Sequence, residues 1–496
     1  MGKRPAAIAI DLGAESCRVS LLRWADGQPD IRLVHRFPNA PISNNGIRWD
    51  LDNITVGIVK GLALCAELAG SDSIASIGVD GWAVDYVRLG SDGKPVGDPY
   101  CYRDERTIEA EREVYARISP ETLYRLTGIQ LIRLNTLIQL YADAKSGISQ
   151  SAPWLNLPEY VTHWLGGDRV AEYTNATHTQ LVSLGTQDWC PEIFRATGLE
   201  MAAAPRIVST GTKVGVLRRD LRELRALADA ELIVPACHDT ASAVAGIPLE
   251  GCDWAFISSG TWSLVGTVLD TPCATEDARV KNFTNLGGVG NSTCFLKNVN
   301  GMWLLRQCME SWERSGRTWT VQQLIQQCEK LPPPDLPLDV DDGDLLLPGD
   351  MPGRMNEQRK RRGLPPIATD NSGIPVLANT IFHGLAARYA EVLRDLQSVS
   401  GKNIRKLCVV GGGSKNSYLN RLTAEMTGLE VVVGPVESST IGNFAVQLAS
   451  LNTDLSSSCG VTRKSVAEWA EVLANGMRSS NGDLASAGRQ TVLGEK

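Results

Sequence analysis

The feature that most limits the fold is a strand–glycine-turn–strand unit that occurs twice. The first reads as a strand from Ala6 to Leu12, a turn at Gly13-Ala14-Glu15-Ser16 and a return strand from Arg18 to Trp24. The second reads as Trp254 to Ser259, then Gly260-Thr261, then Trp262 to Leu269. Each has the alternation and turn chemistry of a β-hairpin. Two such units about 240 residues apart suggest a duplicated architecture, one unit opening each half. Length agrees, because the chain has 496 residues and a single core stops growing at about 250–300. Two lobes around a cleft are expected.

Other stretches fit an α/β class. Ser73 to Val87 reads as strand, turn, strand around Asp80-Gly81-Trp82-Ala83. Glu231 to Ala236 is a short apolar strand that runs through Cys237-His238-Asp239-Thr240 into a small-residue helix, Ala241 to Ala245. Arg405 to Val410 is a strand leading to Gly411-Gly412-Gly413-Ser414, with a helix from about Asn416. Strands alternating with amphipathic helices give α/β. The boundary is expected near Ile247-Pro248, giving an N-terminal lobe at 1–247, a C-terminal lobe at 248–475 and a polar tail at 476–496 that frays. The Pro-rich, charged stretch 332–373 reads as a long solvated excursion.

Composition narrows the function. Apolar residues make up 43% and charged residues 21%, which excludes disordered, collagen-like and membrane-embedded chains. Lys and Arg number 49 against 56 Asp and Glu, a net charge of −7. Such a chain is a poor partner for nucleic acid or an anionic membrane. The 12 cysteines form no CxxC pair and none lies beside a spaced His pair, so zinc-finger geometry is absent and reduced, buried thiols in a cytoplasmic protein are expected. The apolar stretch at the start is interrupted by Asp11 and is too short for a signal peptide. No run approaches the ~20 apolar residues of a membrane span.

Several motifs carry chemistry. Asp11 ends a strand, where a carboxylate can hold Mg²⁺, and Gly13 allows a tight turn whose backbone N–H groups face phosphate. Ser16 adds a hydroxyl. Arg18 either adds charge to that site or points to solvent. The turn Ser258-Ser259-Gly260-Thr261 is rich in hydroxyls and suits the outer phosphates of a nucleotide. Gly411-Gly412-Gly413 makes sense where a flat ligand approaches the main chain. It is neither GxGxxG nor GxxxxGK[ST], so no Rossmann or P-loop fingerprint is present. Asp239 stands at a strand-to-helix junction, as a base facing a cleft or as a simple N-cap.

Taken together, the stretches AIDLGAESCRVSL, IRWDL, SIGVDGWAVDYVRL, YRDERT, GIQLIRLNTLIQL, YTNATHTQLV, ACHDTASAVAG, ISSGTWSLVG, LKNVNGMWLLR, VVGGGSKNSYLNRL and GPVESSTIGN resemble the FGGY carbohydrate kinases of the actin–hexokinase superfamily. The resemblance spans roughly residues 6–475. It implies two ribonuclease-H-like lobes with the active site in the cleft, and ATP-dependent phosphorylation of a ketose, with L-rhamnulose at its 1-hydroxyl favoured. Asp239 matches the family's proton acceptor. Trp82, Ala83, His238 and Thr240, with Asp239, match its sugar-contacting positions. Ala14, Glu15, Ser16, Cys17, Arg18, Thr261, Asn298, Arg306 and Gly412 match its nucleotide-contacting positions. Mg²⁺ would sit near Asp11 and Asp239. The partners implied are a ketose and ATP, acting on a monomer or homodimer.

The sequence departs from the pattern at four positions. Ala83 stands where glycine is usual, Cys17 where a small glycine follows the phosphate turn, Glu15 where a hydroxyl residue is common, and Arg306 where an uncharged amide is common. These bear on the sugar more than on kinase chemistry. Two other readings stay in view. One is a kinase for L-fuculose or a pentulose. The other is a regulator or ATPase switch that keeps the fold without sugar chemistry. A nicotinamide dehydrogenase lacks its fingerprint.

Overall fold

The computed structural model describes residues 4–249, 251, 253–347, 349–452 and 461–480. Its chain divides into two compact units. The first gathers described residues within Met1–Glu250, Val268–Phe295 and Ser438–Ser486, and the second those within Gly251–Thr267 and Leu296–Glu437. The described residues hold two six-stranded mixed sheets. The expected polar tail lies outside the described residues from 481 onward, and the helix Arg463–Ser480 covers its start.

In the first unit the strand order is Lys213–Val216, Glu231–Ile233, Ile74–Gly81, Ala6–Leu12, Ser16–Ala25, Gln28–Pro38. Ala6–Leu12 is the central strand and every residue of it is buried. Its alternation explains how both faces are covered. Ile8, Ile10 and Leu12 enter one core, together with Ile54, Ile58 and Leu62 of the helix Leu51–Ala69. Ala7 and Ala9 point the other way, into a core with Ile441, Phe444, Ala445 and Leu448 of the helix Ser438–Leu451. Each fully buried Ile or Leu contributes about 1.5–3 kcal/mol. The alanines contribute less, but their small size lets the second helix lie close to the strand. Asp50 caps the helix Leu51–Ala69 by accepting Asn53 N–H at 2.9 Å.

The other six-stranded sheet has the order Thr284–Gly287, Thr293–Asn300, Trp262–Leu269, Trp254–Ser259, Lys406–Val410, Glu430–Val433, and its strands Trp254–Ser259, Lys406–Val410 and Glu430–Val433 fall in the second unit. Both hairpins foreseen in the sequence form, Ala6–Leu12 with Ser16–Ala25 and Trp254–Ser259 with Trp262–Leu269. One expectation is refined and one corrected. Ser73 to Val87 holds the expected strand, turn and strand, but the two strands do not pair with each other. Ile74–Gly81 lies in the main sheet, parallel to Ala6–Leu12, whereas Tyr86–Arg88 pairs with Trp154–Asn156 in a separate two-stranded sheet. The break falls at Val84, whose φ of 71° turns the chain out of the strand. Residues 332–373 are also more than a solvated excursion. They contain the helix Met351–Arg361, and Leu338, Val340, Leu345, Met351 and Met355 are buried. Their charges pair on the surface, Arg361 with Asp342 at 2.6 Å and Asp344 at 2.7 Å.

The ten described cysteines form no disulfide, and all but Cys273 are buried. No helix among the described residues is long and apolar enough to cross a membrane.

Candidate active site

Parallel strands place three carboxylates at one sheet edge. Asp11 and Asp80 are register partners on adjacent strands. Gly81 bridges to His238, and Gly81 N–H donates to Cys237 O at 3.0 Å. Asp239 therefore emerges beside the other two, as the first residue of the helix Asp239–Ala245. This is the carboxyl edge of the sheet, where α/β proteins bind ligands.

The three acids differ in their surroundings. Asp11 is 1% exposed. Its Oδ2 accepts from Arg18 Nη2 at 2.8 Å and from Ser439 Oγ at 2.7 Å, while its buried Oδ1 has no partner. Arg18 thus turns inward to the site rather than to solvent. Asp80 is fully buried and accepts from Asn443 Nδ2 at 2.9 Å. Burial, then the charge of Asp11, holds its carboxyl well above the usual range. Burial and Asp11 also push Asp239 up to about 7. Yet 41% of its side chain remains open to solvent, the face that a ligand would cover. Like charges this close favour a proton or a cation among them.

His238 Nε2 lies 3.2 Å from Asp239 Oδ1. Burial holds the His238 ring neutral, and the neighbouring His178 adds to that. If Nε2–H donates to Asp239, Nδ1 is left as an acceptor, and it is buried without a partner. His178 packs edge-to-face on His238 at 4.1 Å between ring centroids. Burial pushes His178 down to about 3, and its Nε2 is likewise unpartnered. Buried polar atoms are normally satisfied. Asp11 Oδ1, His238 Nδ1 and His178 Nε2 are the pattern of a site built to receive polar ligand atoms. Thr240 hydroxyl donates to Asp239 Oδ1 at 3.2 Å.

The first hairpin turn is tightly made. A Cβ on Gly13 would lie 2.4 Å from Ser16 O, so only glycine fits. Asn39 clamps the turn from outside, donating from N to Glu15 O at 3.0 Å and from Nδ2 to Gly13 O at 2.9 Å. Strand alternation turns Ser16 and Arg18 one way and Cys17 into the core. Burial pushes the Cys17 thiol up to about 12, and Sγ donates to Gly13 O at 3.9 Å, tying the buried side chain to the turn. Ala14 packs on the same core.

Trp82, Ala83 and Val84 follow at the edge, each at most 8% exposed. Val84 is β-branched and held at positive φ, a costly conformation that tends to mark functional sites. Thr136 Oγ1 pins it by donating to Val84 O at 2.7 Å. Asp85 then accepts from Trp49 Nε1, Trp82 Nε1, Gln139 Nε2 and Tyr102 N. Burial pushes its carboxyl up to about 6 against those donors. Trp82 also packs on Trp49 at 4.5 Å. Its indole is buried and held by Trp49 and Asp85.

The second unit carries the remaining candidates. The glycine run follows Lys406–Val410, which is parallel to Trp254–Ser259. A Cβ on Gly411 would meet Ser259 O at 2.7 Å, and one on Gly413 would meet Ser259 Oγ at 2.0 Å. Gly412 has nothing within 4 Å of such a Cβ, so it alone faces open space. Thr261 O accepts Trp303 N–H at 3.2 Å, which fixes the turn against the helix Trp303–Arg314. Arg306 on that helix lies over the Trp303 ring and 3.6 Å from Glu310. Asn298 is half-buried on Thr293–Asn300.

Asp80, Asp85, Glu172, His178, Ser439 and Asn443 were not singled out from the sequence. All lie within or next to the quoted stretches, but nothing local distinguishes a buried acid at a site from an ordinary polar residue.

Residues 6–246 match the N-terminal domain of the FGGY family of carbohydrate kinases, and residues 255–451 match its C-terminal domain. The chain belongs to this family. It is therefore a sugar kinase with ATP as co-substrate. The chain is 38% identical over 443 residues to the rhamnulokinase of Bacteroides thetaiotaomicron, covering 88% of this chain and 89% of that one. It is 34% identical over 444 residues to the rhamnulokinase of Ligilactobacillus salivarius, covering 89% and 90%. Among solved structures it resembles xylulose kinase from Lactobacillus acidophilus, with a TM-score of 0.74 at 16% identity over 97% of this chain and 99% of that one. It also resembles Plasmodium falciparum glycerol kinase with ADP, with a TM-score of 0.73 at 15% identity over 95% and 93%. The α/β fold with two sheet-containing lobes, of the actin/hexokinase type, is that of these FGGY kinases.

Proposed function

We propose that this FGGY kinase transfers the γ-phosphoryl group of ATP to the 1-hydroxyl of a ketose, with L-rhamnulose the preferred acceptor. The observation that carries the reading is Asp239, a carboxylate raised to about 7 at the sheet edge and partly open to solvent. A base poised near neutral pH suits proton removal from an alcohol. In this reading the 1-hydroxyl oxygen bonds to the γ-phosphorus, the bond to the ADP oxygen breaks, and the hydroxyl proton passes to Asp239. His238, Thr240, Trp82 and Ala83 bound the sugar. The turn Ala14-Glu15-Ser16-Cys17-Arg18, with Thr261, Asn298, Arg306 and Gly412, receives the nucleotide. The preference for L-rhamnulose rests on the two rhamnulokinases that the chain resembles along most of its length.

Mg²⁺, when bound, neutralises the triphosphate charge. The residues present fit it. Asp11 Oδ1 is buried without a partner, and Asp239 stands beside it. Among the described residues no group of three or more His, Cys, Asp or Glu is arranged as a metal cage. Mg²⁺ sites commonly use one or two carboxylates, with phosphates and water completing the shell. A cytoplasmic place for the enzyme goes with this reading.

A coupled ADP-release assay over L-rhamnulose, L-fuculose, D-xylulose and L-ribulose tests the assignment. The highest kcat/KM is expected for L-rhamnulose. Release on none of them overturns ketose phosphorylation, and a higher value on another ketose overturns the sugar.

A further inference from the structure

The segment Ser438-Ser439-Thr440-Ile441-Gly442-Asn443 has no assigned role in the site above, yet it folds against the acids. Its helix Ser438–Leu451 belongs to the first unit. Ser439, Asn443 and Gln447 are spaced by four, so they share one face. Asn443 and Gln447 are 0% exposed. Polar side chains at that depth need partners.

A ladder of hydrogen bonds supplies them. Ser76 Oγ donates to Gln447 Oε1 at 2.7 Å. Gln447 Nε2 donates to Ile8 O at 2.9 Å and to Asn443 Oδ1 at 2.7 Å. With its oxygen engaged, Asn443 presents Nδ2 to Asp80 Oδ1 at 2.9 Å. Each amide's orientation is fixed by the one before it. The ladder has room only because residue 78 is glycine, where a Cβ would come within 2.5 Å of Asn443 Oδ1. Ser439 acts on the next strand. Its hydroxyl donates to Asp11 Oδ2 at 2.7 Å, the oxygen that also accepts from Arg18. With Oδ2 held twice, Oδ1 is the oxygen left to face a ligand. The same helix grips the one that begins at Asp239. Ser438 Oγ donates to Ala243 O at 2.7 Å and Ser242 Oγ to Ser439 O at 3.2 Å. A Cβ on Gly442 would lie 1.8 Å from Ser242 O.

We propose that Ser439 and Asn443 are positioning residues, holding Asp11 and Asp80 in a fixed arrangement beside Asp239 so that Asp11 Oδ1 faces the metal–nucleotide. This rests on the kinase reading and adds the residues that orient its acids. Partners of metal-binding carboxylates typically change affinity or activity by 10- to 100-fold when removed.

The test uses the full chain with Mn²⁺ as the probe. Mn²⁺ binding to the enzyme–ATP complex is read by electron paramagnetic resonance, alongside kcat, KM, ketose affinity by calorimetry and thermal melting. For Ser439→Ala, Mn²⁺ affinity and kcat should each fall roughly 10-fold. Ketose affinity and melting temperature should hold, and Ser439→Thr should restore both losses. Asn443→Ala should lower kcat without weakening the ketose. If that variant fails to fold, Asn443→Ser keeps a smaller hydrogen-bonding group and should show the same split. A folded Ser439→Ala enzyme with wild-type Mn²⁺ affinity and kcat overturns the proposal. The wild-type chain binding Mn²⁺–ATP but releasing ADP on no ketose overturns the kinase reading instead.

Discussion

The Glu172 carboxylate accepts the backbone N–H of Cys237 at 2.9 Å, just ahead of His238 and Asp239. It also accepts Thr174 N–H at 3.0 Å and the Thr210 hydroxyl at 2.6 Å. Thr174 Oγ1 in turn accepts His238 N–H at 3.3 Å. The segment that delivers Asp239 to the sheet edge is thus anchored from Val170–Glu172 and the helix Tyr173–His178.

Removing that anchor should be costly. Glu172→Ala leaves several buried donors without an acceptor, each worth about 1–3 kcal/mol. The midpoint of urea unfolding should fall, and kcat should fall further than ketose affinity. Glu172→Gln keeps a carbonyl oxygen for Cys237 and should be milder. Unfolding curves that overlay for Glu172→Ala and wild type would contradict the anchor.

Glu159 gives a pH dependence. It is fully buried and accepts from Asn175 Nδ2 at 2.8 Å. Burial, then the charge of Glu172, pushes it from an ordinary 4.5 to about 8. The folded state therefore binds a proton that the unfolded chain releases above its lower value. The resulting stability is fully present below about 4.5 and is lost as pH rises through 8. Denaturation at fixed ionic strength should show stability declining across that window. Glu159→Gln, which cannot ionise, should flatten the decline.

How far the sequence discloses this site depends on the range of the interaction. The hairpins Ala6–Leu12/Ser16–Ala25 and Trp254–Ser259/Trp262–Leu269 were readable because alternation and turn residues are local signals. The glycines at 411–413 were readable for the same reason, and the packing of two of them on Ser259 accounts for their identity. The Ser439–Asp11 bond was not, since it joins residues 428 apart and leaves no local pattern. Nor is the left-handed residue in the turn after Gly81, because a valine gives no warning of a φ of 71°. The roles of Asp80 and Glu172 are not legible in the sequence, because a buried carboxylate and an exposed one are the same letter there.

Asp239 must be deprotonated to accept a proton. With its carboxyl pushed up to about 7, kcat/KM should fall as pH drops below that value and level off above it, since this parameter reports the free enzyme. Asp239→Asn should remove that limb and lower kcat by roughly 10²–10⁴, with ketose affinity largely kept. Near-full turnover in the folded variant would refute the base assignment.

Gly412 tests the nucleotide site. A Cβ there meets nothing within 4 Å, so Gly412→Val should fold normally. The branched side chain would then occupy the space in which the nucleoside is proposed to pack. ATP affinity by calorimetry should fall at least 10-fold while ketose affinity is unchanged. Unchanged ATP affinity would place the nucleotide elsewhere.

Ala83 tests the sugar. It lies between Trp82, whose indole N–H is held by Asp85 at 3.0 Å, and the strained Val84. Neighbours fixed on both sides leave its methyl little freedom to retreat, and only 7% of the residue is exposed. A single methyl in a contact pocket shifts discrimination by ~1–3 kcal/mol. If that methyl borders the ketose, Ala83→Gly should raise or hold kcat/KM for L-rhamnulose and relax its preference over L-fuculose and pentuloses. The change should appear in the ratio between sugars, with ATP affinity unmoved, because the backbone at 82–84 is fixed by Thr136 and Asp85 rather than by the methyl. A folded Ala83→Gly enzyme that loses activity on every ketose would show instead that the alanine holds this strained segment in shape, and the steric argument would fail.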